Sequence, residues 1–160
     1  MPALANKFPT YNAFAAATLA EVYGNKNLEQ ALRYEANRFG SVYIENLGSG
    51  RFRIQDLPVM AQIAPIQATV LEDMDGDGQR DIVLAGNLYG AEIETPRADA
   101  GLGLWLRGQG QGQFEAVPTR QSGLSLPDDV RALRLIRTPA GTALLSAANH
   151  GPLRLIRMGP

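Results

Sequence analysis

Leu71-Glu72-Asp73-Met74-Asp75-Gly76-Asp77-Gly78-Gln79-Arg80-Asp81 sets aspartates at 73, 75, 77 and 81, with glycine on either side of Asp77. Carboxylates this dense repel one another unless a cation lies among them. Ca²⁺ takes about 6–8 oxygen ligands, many from Asp side chains and backbone carbonyls. The D-x-D-x-D-G spacing supplies them. Asp73, Asp75 and Asp77 are expected to converge, Gly78 to permit the sharp turn, the Gln79 carbonyl to point inward and Asp81 to close the shell. The competing reading is a solvated acidic turn with no ion. Mg²⁺ fits less well, because it demands a compact octahedron and keeps several waters.

The flanks decide the fold. An EF-hand loop lies between helices and carries a bidentate Glu at its twelfth position. Counted from Asp73 that position is Leu84, which offers no ligand atom. Ala68-Thr69-Val70-Leu71 and Asp81-Ile82-Val83-Leu84-Ala85 are short, apolar and rich in β-branched residues, so the loop is expected to join two strands.

Working outward, residues 41–46 and 51–54 read as two strands around the turn Gly48-Ser49-Gly50, and residues 102–107 and 113–117 as two more around Gly110-Gln111-Gly112. Residues 57–65, interrupted by Pro58 and Pro65, read as a connecting loop, and Asn87 to Gly101 as a long polar one. Two motifs recur at one offset. Gly48-Ser49-Gly50-Arg51-Phe52 matches Gly110-Gln111-Gly112-Gln113-Phe114 (110 − 48 = 62), and Ala85-Gly86-Asn87 matches Ala147-Ala148-Asn149 (147 − 85 = 62). Each unit then holds about four antiparallel strands, the content of one propeller blade. In the last copy the acidic loop is replaced by Thr138-Pro139-Ala140-Gly141, a turn made by steric restriction, so one ion is expected and not two.

Upstream, residues 10–23 read as one helix, with Thr10 as N-cap and Gly24 as its stop. Asn27 and Gln30 resemble the capping pair of a second helix continuing through Leu28, Ala31, Leu32 and Glu35. Their apolar faces are expected to pack on the chain's own sheets, with partner docking as the alternative. The expected fold is therefore mainly β: about two and a half four-stranded antiparallel blades in 41–160, an incomplete β-propeller, after a short helical segment in 1–40.

Composition narrows the rest. The charge balance is −1, with 45% apolar residues, 17 glycines, 10 prolines and no cysteine. No basic excess points to nucleic acid or an anionic membrane surface, thiolate metal sites and disulfides are excluded, and no apolar run approaches a membrane span. The arginine-to-lysine ratio of 13 to 2 has no physical account here. Met1 to Lys7 lacks a signal-peptide core, so the chain is expected to be either cytoplasmic or cut from a longer exported polypeptide. The pentapeptide Leu-Arg-Leu-Ile-Arg at 133–137 and 153–157, with Arg131, reads as a solvated strand face or a basic strip.

The residues 73–82 and 85–90, with Tyr43–Phe52 and Gly108–Phe114, resemble the C-terminal part of bacterial FG-GAP/VCBS-repeat proteins, the integrin-α-like β-propellers. The segment 97–103 is similar to a recurring loop of that family, which usually has tyrosine where Ala98 stands. The ending, 148–157, looks like the last blade of members that often carry ASPIC/UnbV-type segments. The resemblance implies a closed propeller, calcium in blade hairpins, an extracytoplasmic location (periplasmic, cell-surface or secreted) and a role in binding or adhesion.

Dividing 160 residues by 62 leaves about two and a half units, whereas propellers close with about 4–8 blades. The missing blades are expected to come from another chain or from copies of this one. The leading functional expectation is a calcium-stabilised, non-catalytic module that binds protein or carbohydrate through the loops 57–65 and 87–101. The alternative is a subunit or accessory domain of a carbohydrate-active enzyme, for which Asp128-Asp129 or Glu92 and Glu94 would supply paired carboxylates. His150, the single histidine, stands beside a turn glycine and reads as structural.

Overall fold

A computed structural model describes residues 2–157. The chain divides into two compact units, Met1–Phe39 and Gly40–Pro160.

The first unit holds four short helices: α1 (Pro2–Lys7), α2 (Tyr11–Ala16), α3 (Leu19–Tyr23) and α4 (Asn25–Gln30). The single helix expected over 10–23 is thus broken. Thr10 caps α2 through its hydroxyl, which accepts from the Ala13 N–H, but Ala17 is already extended. Thr18 then starts a new helix as a full capping box: its hydroxyl accepts from the Glu21 N–H, and the Glu21 carboxylate accepts from the Thr18 N–H at 2.7 Å. These bonds from Thr18 hold the Glu21 carboxyl below its ordinary value. Two side chains that each satisfy a helix-end amide compete with continuing the ladder, and here they win. Gly24 does end α3, at φ +83°. The second helix starts earlier than expected and stops at Gln30, so Leu32 and Glu35 are not helical. No residue of α2, α3 or α4 is buried.

The second unit is antiparallel β throughout. Its strands are β1 (Val42–Gly48), β2 (Arg51–Asp56), β3 (Ala68–Glu72), β4 (Asp81–Ala85), β5 (Leu104–Gly108), β6 (Phe114–Val117), β7 (Val130–Thr138), β8 (Gly141–Ala148) and β9 (Leu153–Arg157). They form, in chain order, a hairpin β1-β2, a four-stranded meander β3-β4-β5-β6 and a three-stranded meander β7-β8-β9. A 3-10 turn, Val59–Gln62, lies within the expected loop 57–65, and a short helix, α5 (Thr119–Ser122), follows β6.

Side-chain alternation makes the four-stranded sheet the middle layer. Ile82, Leu84 and Leu106 point to one face and join Leu57 and Ala61, with Tyr43, Phe114 and Ala116 packed against them. Val83 and Ala85 point to the other and join Leu126, Val130, Leu133 and Leu144. The period of two along a strand, applied to a run apolar at every position, gives a sheet covered on both sides.

The two glycine-rich turns share one backbone conformation. Gly48, Ser49 and Gly50 have φ of +81°, +52° and +74°; Gly110, Gln111 and Gly112 have +76°, +51° and +74°. Between β7 and β8 only Pro139 and Ala140 intervene, and the Thr138 hydroxyl closes the turn by donating to the Gly141 carbonyl at 2.7 Å and accepting from the Ala140 N–H.

Candidate metal-binding loop

The loop 73–80 joins the paired ends of β3 and β4, where Glu72 stands opposite Asp81. Its shape is written in aspartate side chains. Asp73 accepts from the Gly76 N–H at 2.7 Å on one oxygen and from the Gly78 N–H at 2.9 Å on the other. Asp75 accepts from the Asp77 N–H, and Asp77 from the Gln79 N–H at 2.7 Å. Each bond folds the loop back on itself, as aspartate does in Asx turns. Gly76 and Gly78 supply the left-handed conformations, at φ +78° and +87°.

Asp81 is the anchor. It is wholly buried, with Oδ2 accepting from the Met74 N–H at 3.1 Å and Oδ1 from the Gly108 N–H at 2.8 Å. Gly108 must be glycine here, because a Cβ would run into the Arg80 carbonyl.

Asp73, Asp75 and Asp81 each present a carboxylate oxygen, all within 4.8 Å of one another. At that separation, two carboxylates under an effective dielectric of about 20 repel by roughly 3 kcal/mol. Arg107 answers part of this: its Nε lies 2.7 Å from Asp75 Oδ2, and its guanidinium lies 5.1 Å from the Trp105 ring centre. One guanidinium faces three carboxylates. A hard divalent cation with oxygen ligands suits the donor set. Of the five residues expected to bind metal, the structure brings Asp73, Asp75 and Asp81 together. Asp77 lies outside that cluster, and its Oδ1 accepts from the Gln79 N–H. Arg107 and Gly108 had no sequence signal, since they reach the loop only through the pairing of β4 with β5.

The loops expected to bind ligand, 57–65 and 87–101, do meet. Together with Leu84, Leu104 and Val117 they line an apolar cavity of about 300 Å³, to which Met60, Ile63 and Gly101 contribute. Asn87 fixes the lining residue Gly101 from behind. Buried and at φ +144°, it donates through Nδ2 to the Gly101 and Pro127 carbonyls, both at 2.9 Å, and accepts from the Gly101 N–H.

The carboxylate pair Asp128 and Asp129 is engaged elsewhere. Asp128 pairs with Arg154 at 2.7 Å and Asp129 with Arg131 at 2.9 Å, so these two arginines belong to ion pairs and not to a free basic strip. Burial pushes the Asp129 carboxyl up, yet hydrogen bonds from Arg131 and Asn149, the Arg131 charge and the Tyr89 N–H outweigh it and leave it below its ordinary value. Glu92 accepts from the Thr95 hydroxyl within the long loop. His150 occupies a turn position at φ +51°.

No family model, curated protein or solved structure matches the chain. Among the described residues no helix is long and apolar enough to cross a membrane.

Proposed function

We propose that this chain is a non-catalytic binding module of β-propeller type, in which one Ca²⁺ held by the 73–81 loop fixes a hairpin of the middle sheet. The observation that carries the metal reading is the convergence of Asp73, Asp75 and Asp81 within 4.8 Å, one of them buried and tied to a neighbouring strand. The blade reading is supported by three consecutive antiparallel sheets of two, four and three strands and by two turns of matching backbone conformation at the repeat offset. The ion's work is structural. Asp73, Asp75 and Asp81 would hold it, with Asp77 keeping the loop's curvature and Gln79 lying on its return limb. A cation among them offsets their repulsion and keeps β3 and β4 paired to their ends.

Ligand binding falls to the cavity between the 57–65 and 87–101 loops. Its apolar lining favours a protein side chain over a sugar, since a glycan needs convergent polar groups. The family the sequence resembles points to an extracytoplasmic setting and to blades completed by another chain or by copies of this one.

The test is a thermal melt with calcium and with chelator. A ligand bound only by the folded state stabilises it by about 2.7 kcal/mol at a concentration 100 times its Kd. Calcium is expected to raise the melting temperature of the wild type and to leave Asp73→Ala/Asp75→Ala unmoved. A wild type indifferent to both additions sinks the metal reading.

A further inference from the structure

The stack of three sheets ends in two outer faces that expose apolar side chains, the last of them also carrying Arg134 opposite Leu145, and the repeat offset points to what they are built to meet. On the first sheet, Ile44, Phe52 and Ile54 share the side turned away from the middle sheet, where Ile44 is paired opposite Ile54. They are 56%, 60% and 52% exposed. Adding 62 to each number gives Leu106, Phe114 and Ala116, the residues with which the middle sheet receives the preceding layer.

The last sheet shows the opposite end of the same pattern. Leu145 and Ala147 lie opposite Leu155 and Leu153, turned away from the core that Leu144 and Ile156 join. Subtracting 62 from 145 and 147 gives Val83 and Ala85, with which the middle sheet receives the following layer. Leu153 and Leu155 are 65% and 53% exposed. The first sheet's outer face therefore repeats, position for position, a face that is covered inside the molecule; on the last sheet Leu145 and Ala147 do so, and Leu153 and Leu155 extend that face by pairing beside them.

We infer that copies of this chain stack head to tail, the Ile44–Phe52–Ile54 face of one on the Leu145–Leu153–Leu155 face of the next. The occupant is a second copy because the chain carries both halves of the junction, and its two internal interfaces already join faces of these two kinds. Such a contact is heterologous, so repeated addition closes a ring or grows a filament. The inference rests on the modular-sheet part of the function proposed above and not on its metal. Failure of the calcium melt leaves it standing, and failure of the contact leaves the calcium melt unaffected.

The absence of cysteine permits a clean test on the full chain. Ile54→Cys and Leu155→Cys are prepared separately and mixed under mild oxidation. Disulfide-linked dimers are expected in the mixture at about tenfold the yield of either variant alone, because docking raises the effective concentration of the two thiols. Equal yields in the three samples overturn the inference. Sedimentation of the unmodified chain provides a readout free of mutation: assemblies larger than a monomer are expected at about 100 μM, where a micromolar contact is saturated, and a monomer there overturns it.

Discussion

The Gly108 amide donates to Asp81 Oδ1 at 2.8 Å, tying the last residue of β5 to the first of β4 through a side chain and not through the ladder. The bond is buried. It fixes where the acidic loop must return, and it makes Asp81 a structural acceptor whether or not an ion is bound. Replacing Asp81 with Ala leaves the Met74 and Gly108 amides without their acceptor, and each unsatisfied buried donor costs about 1–3 kcal/mol. Urea unfolding of Asp81→Ala is expected to show a loss of that size in chelator alone. No loss in chelator means that Asp81 matters only as a ligand.

Gly108→Ala tests the close approach from the other side. Its Cβ meets the Arg80 carbonyl, a backbone atom that cannot swing away, and overpacking of this kind costs about 1–3 kcal/mol. Gly90→Ala is the contrast: there a Cβ meets nothing and φ is not positive, so the change is expected to be neutral or slightly stabilising in the same assay.

Arg107 is the protein's own cation beside the loop. Arg107→Gln removes it from Asp75, so the metal-free protein is expected to lose about 0.5–1 kcal/mol, the scale of a partly exposed pair. The calcium-dependent rise in melting temperature should then be larger than in the wild type. A smaller rise would assign Arg107 to shaping the bound state and not to replacing the ion.

Asp129 sets an acid limit. Its native value lies below the ordinary 3.8, so the native state holds fewer protons than the unfolded chain as pH falls through this region. The stability it contributes is therefore complete above the ordinary value and is lost as pH drops through the lowered native one. Asp129→Asn is expected to be less stable than wild type at neutral pH, with the gap narrowing as pH drops below the ordinary carboxylate value. Urea midpoints for both proteins across that range decide it; a gap that stays constant would place the cost in shape and not in charge.

Asn87→Ala removes the donor to the Gly101 and Pro127 carbonyls and the acceptor for the Gly101 amide. A loss of roughly 2–4 kcal/mol is expected from several buried groups left unpaired. If the 300 Å³ cavity is the binding site, ligand affinity falls with it, and amide exchange in 98–103 quickens.

The local parts of this fold were legible in the sequence. Val70 and Leu71 before the aspartates, and Ile82 and Val83 after them, mark strands by composition, and the Thr138–Gly141 turn is specified by its own residues. What was hidden depends on distance or on competition. Arg107 and Gly108 reach the acidic loop only after β5 has paired with β4. Asn87 was visible as a repeat marker, but its role comes from partners 14 and 40 residues away. The break at Thr18 was missed because the apolar spacing of 10–23 continues across it, while the capping box that interrupts it is a contest between side chain and backbone that periodicity does not register.

Two hairpins of this chain end differently. One is knotted by a threonine hydroxyl and a proline ring, neither of which answers to the surrounding medium. The other is drawn together by anionic groups whose mutual tolerance depends on what the medium contains. As ionic conditions change, the third sheet is expected to keep its outline while the middle one slackens at its rim. On the proposed reading the β unit would soften first in its central layer, the one its neighbours on both sides lean against.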